Sequence, residues 1–441
     1  MGTHGNSSSS SPMLHTWAVD IVERVPHDVK SLAAEEEAVW KKHSIYKIPA
    51  GFGVPSRRNA YQPQLVSFGP YHHRDKDLQP MAEHKERALL HFLGRSQKAL
   101  KLYIAALEPV AEQLMGSYAE LDKEWLDKAQ FLKLMIVDGC FMIEVLRSAS
   151  SAMPPDYATT DPIFSRHGIL NTIPRMKRDM LMLENQIPLL VLKTLMAVEQ
   201  KPPAPDDEAI NQLVLDFFSP QAPSQKELGL HVLDVVRKSM LAEDPDTRFR
   251  SQAGKKSSTN DVIWPATELQ EAGIQFERSS SRSLKDISFE KGVLSLPEIM
   301  VDDASESKFL NLMAFEHLHA GAGNEVSSYV SFMDNIIDSE RDVILLSQSK
   351  IVKNFVGTDK AVAKLFNGIA QDVSIDPVSR LSAVHHKVTD YCNRDWNRHL
   401  ANLRGTYFRS PWALISLLAA VFVLGLTVIQ FVYQVIDFYR V

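Results

Sequence analysis

The chain has 441 residues, with 48 lysines and arginines against 54 aspartates and glutamates, giving a formal net charge of −6 at pH 7. Its 45% hydrophobic and 23% charged residues are typical of a globular protein and exclude disorder over the whole length. The mild negative charge, without a basic stripe interleaved with aromatic residues, argues against nucleic acid as a partner. The two cysteines, Cys140 and Cys392, allow at most one disulfide, which favours a reducing, cytosolic environment.

The N-terminus contains a serine-rich tract, and residues 1–30 are predicted to form a disordered leader. This tract lacks the basic start and apolar run of a secretory signal peptide. N-myristoylation at Gly2 is an alternative, although Asn6 occupies the position where serine or threonine is preferred.

Region 31–242 is predicted to be an N-terminal helical half, because its apolar residues recur at helical spacing. Pro80 suits the first turn of one of these helices, where its missing N–H group costs nothing. Helices are predicted over residues 31–42, 80–93, 102–114, 125–146 and 176–196.

Five positions in these helices predict specific packing. Gly139 costs roughly 1 kcal/mol relative to alanine in a helix, so we expect it to allow a close helix approach. Cys140 is predicted to be buried and inert, with a reactive thiol as the alternative. Glu184, Asn185 and Gln186 interrupt an apolar segment, where buried polar side chains usually bind neighbouring backbone.

Residues 243–260 are polar and without periodicity, so they are predicted to be a flexible linker or insertion between two halves. Region 261–404 is predicted to be a C-terminal helical half that contains a small β-hairpin. Apolar residues alternate there from Ile287 to Ile299 around a turn at Lys291 and Gly292. Helices are predicted over residues 264–272, 305–319, 326–346, 361–370 and 381–403.

The C-terminal segment has no charged residue from position 410 to position 436. A helix needs about 20 apolar residues to cross the hydrocarbon layer, and the centre of this segment, 413–432, supplies them. Trp412 and Tyr433 lie near its ends, where aromatic rings favour the membrane interface. We predict a transmembrane helix over 411–435 and a short tail over 436–441. The alternative is a buried core helix.

Basic residues precede this segment and indicate its orientation. The positions are Lys387, Arg394, Arg398, Arg404 and Arg409. This predicts a single-pass protein with a C-terminal anchor and a cytosolic body, at the plasma membrane or an endomembrane. The alternative is that the anchor acts as an uncleaved signal and the body is exported.

Motifs of known chemistry are missing from the sequence: it contains no dinucleotide or phosphate-binding glycine loop, no HExxH and no GxSxG. The adjacent histidines His72–His73 and His385–His386 point in different directions, which is typical of loop or surface histidines and not of metal ligands. A general acid–base role for His72 with Glu83 or Glu86 is the alternative. We therefore predict no catalytic, cofactor-binding or metal-binding residues and no cofactor.

Six blocks of the sequence, in order, resemble those of one plant family. They are NAYQPQLVSFGPYHH (59–73), LQPMAEHKERAL (78–89), VDGCFMIEVL (137–146), RDMLMLENQIPLLVL (178–192), ATELQEAGIQF (266–276) and SSYVSFMDNII (327–337). The chain is identified by them as a member of the plant domain of unknown function 247 family, also called uncharacterised protein family 0481. The resemblance implies no established activity. Some grass members are linked to self-incompatibility, which implies a role in pollen–pistil recognition.

The fold class expected from these observations is mainly α: a large helical soluble body with a small β-hairpin region and one C-terminal transmembrane helix. Three functions stay open. The first is a membrane-anchored plant recognition or signalling protein that is not an enzyme, with the membrane bound through residues 411–435 and a protein partner of unknown identity. The second is an enzyme acting on a lipophilic plant metabolite, with its polar cluster at 71–73 and 184–186. The third is a structural membrane adaptor.

Overall fold

A computed structural model of the chain describes residues 42–49, 51–52, 55–148, 156–200, 203–242, 264–370, 380–393 and 411–440, with single positions 16, 19 and 37. Only positions 37 and 42 of the predicted helix over 31–42 are described, and the linker over 243–260 lies outside the described residues, as does most of the leader. Before the linker the helices are α1 Pro80–Ser96, α2 Leu100–Leu107, α3 Ala111–Met115, α4 Lys128–Arg147, α5 Arg166–Asn171, α6 Ile173–Asp179, α7 Leu189–Glu199, α8 Asp207–Phe218 and α9 Val232–Leu241.

The second half mixes helices with short strands. Its helices are α10 Ala266–Glu271, α11 Ser305–Leu318, α12 Glu325–Ile336, α13 Glu340–Gln348, α14 Asp359–Ile369, α15 Arg380–Cys392 and α16 Pro411–Arg440. Its strands are β1 Gln275–Arg278, β2 Ser288–Glu290, β3 Val293–Leu296, β4 Ile299–Val301 and β5 Val352–Asn354. The expectation of a mainly helical fold with a small sheet region is confirmed.

Three predicted helices are interrupted where local chemistry opposes a continuous helix. The helix over 102–114 changes to a 3₁₀ turn at Glu108–Val110, because Pro109 cannot donate a helical hydrogen bond. The helix over 326–346 is broken at Ser339, whose side chain begins α13 as a capping box with Asp342. The prediction of a single helix over 176–196 is wrong, because α6 ends at Asp179 and α7 starts only after Pro188. The sequence patterns did not predict α5, α8 and α9.

The predicted β-hairpin is confirmed. Strands β2 and β3 pair antiparallel, and Lys291 and Gly292 both have positive φ (51° and 84°), as a tight two-residue hairpin turn requires. Strand β1 adds a parallel neighbour to β3, giving the order β1-β3-β2. Ile299 does not belong to the hairpin, because β4 pairs in parallel with the distant strand β5.

The buried apolar residues of both halves form one continuous cluster. Helices α4 and α7 pack closely within it at Gly139. A Cβ atom added to Gly139 would lie 2.6 Å from Leu195 Cδ1 and 2.8 Å from Val191 Cγ1. The expectation that Gly139 allows a close helix approach is therefore confirmed. The division of the chain at 243–260 stays a prediction.

The C-terminal segment forms the helix α16, Pro411–Arg440. Its described side chains, at 415–416, 419–430 and 432, are all exposed. Among the described residues of the chain, no helix combines the length and the apolarity that crossing a membrane requires. The described structure therefore does not support the transmembrane helix predicted over 411–435.

The buried His231 joins the start of the described chain to α9. Its Nε2 lies 2.9 Å from the carbonyl oxygen of Ser44, and its Nδ1 lies 3.2 Å from the backbone N–H of Asp234. Since the carbonyl can only accept and the N–H can only donate, these partners select the neutral imidazole protonated at Nε2. Burial lowers the pKa of His231 to about 4, although the nearby Asp234 carboxylate raises it.

We expect Gly139→Ala to lower the free energy of unfolding by about 1 kcal/mol, because overpacking against α7 exceeds the gain in helix propensity. Gly94→Ala is the matched control, since Gly94 lies in α1 with no atom within 4 Å of its added Cβ. This control should raise the free energy of unfolding by about 0.5–1 kcal/mol. Chemical denaturation of the purified protein measures both, and equal effects at the two sites would contradict the close approach.

Protonation of His231 should destabilise the fold. Its contribution to stability is fully present above the ordinary histidine pKa of 6.5 and is lost as pH falls toward about 4. The loss should approach about 3 kcal/mol. His231→Gln retains a donor for Ser44 but no titrating group, so it should flatten the dependence of unfolding free energy on pH between 6.5 and 4. The exposed control His167→Gln should keep the wild-type slope, and an unchanged slope in His231→Gln would refute the assignment.

Candidate functional site

An extended segment, Gln64–Gly69, crosses the N-terminal half without a neighbouring strand. The carboxylate of Asp179, at the end of α6, accepts hydrogen bonds from three of its backbone N–H groups in succession. The donors are Gln64 at 3.0 Å, Leu65 at 2.6 Å and Val66 at 3.0 Å, all to Oδ2. Burial raises the pKa of Asp179, while these N–H groups and the Arg178 guanidinium oppose the rise. Asp179 thus replaces the hydrogen bonds that a sheet partner would supply.

Asn185 and Asp138 continue these hydrogen bonds along the segment. The Oδ1 atom of Asn185 accepts from Phe68 N–H at 2.5 Å, and its Nδ2 donates to the carbonyl oxygens of Val66 and Asp179, each at 3.0 Å. Asp138, on α4, accepts from Gly69 N–H at 2.8 Å. Gly69 has a positive φ of 75°, and an added Cβ would lie 2.7 Å from the carbonyl oxygen of Gln186. Only glycine fits this turn without strain.

Lys85, on α1, is the fourth buried polar side chain that binds this segment. Its Nζ lies 2.7 Å from Asp138 Oδ1 and 3.3 Å from Ser67 Oγ, and it also donates to the carbonyl oxygen of Ser67. The side chains of Lys85 and Asp138 are 6% and 1% exposed, so this ion pair is buried. Its three acceptors match the three donors of a lysine ammonium group.

The two polar blocks proposed for an enzyme, 71–73 and 184–186, do meet in the structure. His72 Nε2 lies 2.9 Å from Glu184 Oε2, while Glu184 Oε1 accepts from Ile48 N–H at 2.6 Å. His72 therefore contacts Glu184 and not Glu83 or Glu86. The amide of Gln186 donates to the carbonyl oxygens of Met180 and Met182, each at 2.7 Å. The expectation that 184–186 bind neighbouring backbone is confirmed.

A cavity of about 270 Å³ opens between α1 and α4, beside the Gln64–Gly69 segment. Lys85, Asp138 and Ser67 line it, so the buried ion pair is part of its surface. The remaining lining residues recur at three- or four-residue spacing along the two facing helices or come from the preceding loops. They are His73, Leu78, Gln79, Ala82, Glu86, Trp125, Gln130, Lys133, Leu134 and Val137.

His73 is the histidine that lines this cavity. Its ring packs edge-on against Trp125, with centroids 5.2 Å apart. Burial is the main cause that lowers the pKa of His73, and the Lys85 ammonium acts in the same direction. The imidazole is therefore neutral at pH 7 and offers a hydrogen bond without a charge.

Other candidates for chemistry are inert. Cys140 is buried on α4, and burial raises the pKa of its thiol, as expected for a structural cysteine. Neither Cys140 nor Cys392 forms a disulfide. His386 lies on α15, 3.6 Å from Asp390 on the same helix. Within the described parts of the chain, no group of three histidine, cysteine, aspartate or glutamate side chains is placed to hold a metal ion.

Comparison with known proteins places these blocks in a family. The model of the DUF247 family, described as plant protein of unknown function, matches residues 45–426. The chain belongs to the DUF247 family.

Two curated relatives cover nearly the whole chain. A UPF0481 protein of Arabidopsis thaliana is 31% identical over 427 residues, covering 90% of this chain and 87% of that protein. A putative UPF0481 protein of the same plant is 22% identical, covering 94% of this chain and 93% of that protein. No solved structure matches the chain. The family is thus shown, and its description as a plant protein of unknown function assigns no activity.

Sequence reasoning missed the Lys85–Asp138 pair in this DUF247 protein, although a signal was present. Asp138 interrupts the apolar run of α4, and Lys85 falls on the buried face of α1 between Met81 and Ala88. A charge on a buried helical face requires a partner of opposite sign. Opposite charges on two such faces would have predicted the pairing of the two helices.

Removing one member of the Lys85–Asp138 ion pair should strongly destabilise the fold. We expect Lys85→Met to lower the free energy of unfolding by about 3–5 kcal/mol, because it leaves Asp138 as an unpaired buried carboxylate. Adding Asp138→Asn should recover part of the loss, since the amide oxygen still accepts from Gly69 N–H. Lys133→Met, at the exposed edge of the same cavity, should stay within about 0.5 kcal/mol of wild type. Urea denaturation measures all three, and a wild-type midpoint for Lys85→Met would contradict the pairing.

Proposed function

We propose that this DUF247 protein is a membrane-anchored recognition protein that binds a ligand or partner without transforming it. One observation carries the proposal: the buried polar side chains beside the cavity are used to hold backbone. Asp138, Asp179 and Asn185 each bind groups of the Gln64–Gly69 segment, and Lys85 neutralises Asp138. A general acid or base must exchange a proton with its substrate. These side chains support a rigid binding wall better than a catalytic centre.

The membrane part of the proposal rests on the apolar C-terminal segment, although no described helix meets the length and apolarity of a membrane span. Val421, Phe422, Val423 and Leu424 are each at least 60% exposed. A contiguous apolar surface of this kind is typical of a membrane or protein contact. Together with the uncharged stretch 410–436, it favours a single-pass C-terminal anchor, with the body on the cytosolic side of the plasma membrane or an endomembrane. A protein partner and the narrower role in pollen–pistil recognition stay predictions.

The cavity gives little support to an enzyme for a lipophilic metabolite. Its opening is formed by the exposed side chains of Gln79, Glu86, Gln130 and Lys133. Pockets for apolar ligands are lined mainly by apolar side chains, with few polar groups. This opening favours a polar ligand or a polar surface of a partner.

The test is purification of the tagged full-length protein from plant membranes, followed by mass spectrometry of the molecules that stay bound. Ala82→Leu should deplete the bound species, because Ala82 lines the cavity and the larger side chain fills its opening. Ala105→Leu is the matched control, since Ala105 is exposed on α2 away from the cavity. A chain ending at residue 410 should leave the membrane on alkaline carbonate washing, whereas the full-length chain should remain.

Three results would count against the proposal, each in a different part. Release of the full-length chain by carbonate would contradict the anchor. The same bound species from wild type and Ala82→Leu would remove the cavity as the binding site. Conversion of the bound compound during incubation with the wild type would show an enzyme.

A further inference from the structure

The floor of the cavity carries no net charge. Lys85 and Asp138 cancel each other, and their hydrogen-bonding groups are occupied by each other, by Ser67 and by Gly69. His73 is neutral at pH 7 because burial lowers its pKa. A ligand in the cavity therefore meets a polar but uncharged floor, and its own charges must be balanced elsewhere.

The opening of the cavity carries one charge of each sign on opposite walls. Glu86 belongs to α1 and Lys133 to α4, and both side chains are exposed. They line the same cavity but form no ion pair with each other or with any other residue in the described ranges. The two helices thus present a free carboxylate and a free ammonium group across one opening.

This arrangement decides which charge type suits the cavity. A simple anion such as phosphate would be attracted by Lys133 but repelled by Glu86, and a simple cation would be attracted by Glu86 but repelled by Lys133. A zwitterion satisfies both walls, with its ammonium toward Glu86 and its carboxylate toward Lys133. Such charge-assisted hydrogen bonds are stronger than neutral ones, and their geometry adds selectivity.

The volume of the cavity and the residues of its inner part restrict the possible ligands further. The cavity of about 270 Å³ corresponds to about nine water molecules at liquid volume, which is room for one small molecule. Leu78, Leu134 and the Trp125 ring line its inner part and suit an apolar or aromatic group.

We propose that the cavity between α1 and α4 binds a small zwitterion of amino-acid type, whose ammonium group lies against Glu86, whose carboxylate lies against Lys133, and whose apolar side chain contacts Trp125 and Leu134. The inference rests on the proposed function in that it treats the cavity as a binding site. It adds the chemical class of the ligand.

The test is calorimetric titration of the full-length protein, purified in detergent, with probes that differ by one charge. Leucine carries both charges, 3-methylbutylamine lacks the carboxylate, and 4-methylpentanoate lacks the ammonium group. Phenylalanine, 2-phenylethylamine and 3-phenylpropanoate form a second, aromatic series. We expect at least one of the two amino acids to bind and its two analogues to bind at least about tenfold more weakly.

Variants of Glu86 and Lys133, at the opening of the cavity, test which residue binds each charge of the ligand. Glu86→Gln should weaken the binding amino acid about tenfold without weakening the carboxylate analogue, from which it removes a repulsive charge. Lys133→Gln should weaken the same amino acid about tenfold without weakening the amine analogue. Both residues are exposed, so neither variant should unfold the protein. Glu268→Gln and Lys364→Gln, exposed on α10 and α14, are the matched controls and should bind like wild type.

The inference is overturned if neither amino acid binds, if the three probes of a series bind equally, or if inorganic phosphate binds more tightly than both amino acids. Its failure is separable from failure of the proposed function. In that case the carbonate wash and the depletion of bound species by Ala82→Leu would still report an anchored binding protein whose ligand belongs to another class.

Discussion

The N-terminal half depends on the hydrogen bonds by which buried side chains hold the backbone of the Gln64–Gly69 segment. The Gln64–Gly69 segment has no sheet partner, yet five of its backbone N–H groups bind carboxylate or amide oxygens. The oxygens come from Asp138, Asp179 and Asn185, on three separate stretches of chain. Because a buried N–H group without a partner costs about 1–3 kcal/mol, each of these side chains is tied to its position. The segment therefore fixes the relative positions of α1, α4 and the turn before α7.

The cavity follows from the same constraint. Its floor is the ion pair that holds Ser67 and Gly69, so the floor cannot move unless the segment moves with it. The opening is less constrained, because its side chains from α1 and α4 are exposed to solvent. A rigid floor beneath an exchangeable opening is the general arrangement by which a scaffold acquires different specificities.

Much of the fold was accessible from the sequence, because periodicity and turn chemistry are local. The helices over 80–93, 305–319 and 361–370 match α1, α11 and α14 closely. The hairpin turn at Lys291–Gly292 also depends on neighbouring residues only. Gly139 marked a close helix approach, but its partners on α7, Val191 and Leu195, lie more distant in sequence. In the candidate site, the backbone-binding role of Asn185 and Gln186 was predictable because these polar residues interrupt an apolar stretch of sequence.

Other features depend on partners far away in sequence. Residues 180–188 look helical by apolar content, but in the structure Asp179 and Asn185 bind the backbone of the Gln64–Gly69 segment and no helix continues between them. The parallel pairs β1–β3 and β4–β5 join strands that no turn connects, so no local signal marks them. The pairing of Lys85 with Asp138 required two helices to be considered together. The sequence suggests which groups need partners but does not identify the partners.

The distance along the chain between the Gln64–Gly69 segment and its partners has a consequence for synthesis in the cell. Val66 leaves the ribosome 113 residues before Asp179, and Phe68 leaves 117 residues before Asn185. At about 5–20 residues per second, the segment waits roughly 6–23 seconds before the side chains that hold it have been made. During that interval its apolar side chains and unpaired backbone form an open edge of the kind that chaperones bind and that aggregates propagate from. The hydrogen bonds of this segment can therefore form only late in synthesis, after the chain has reached Asn185.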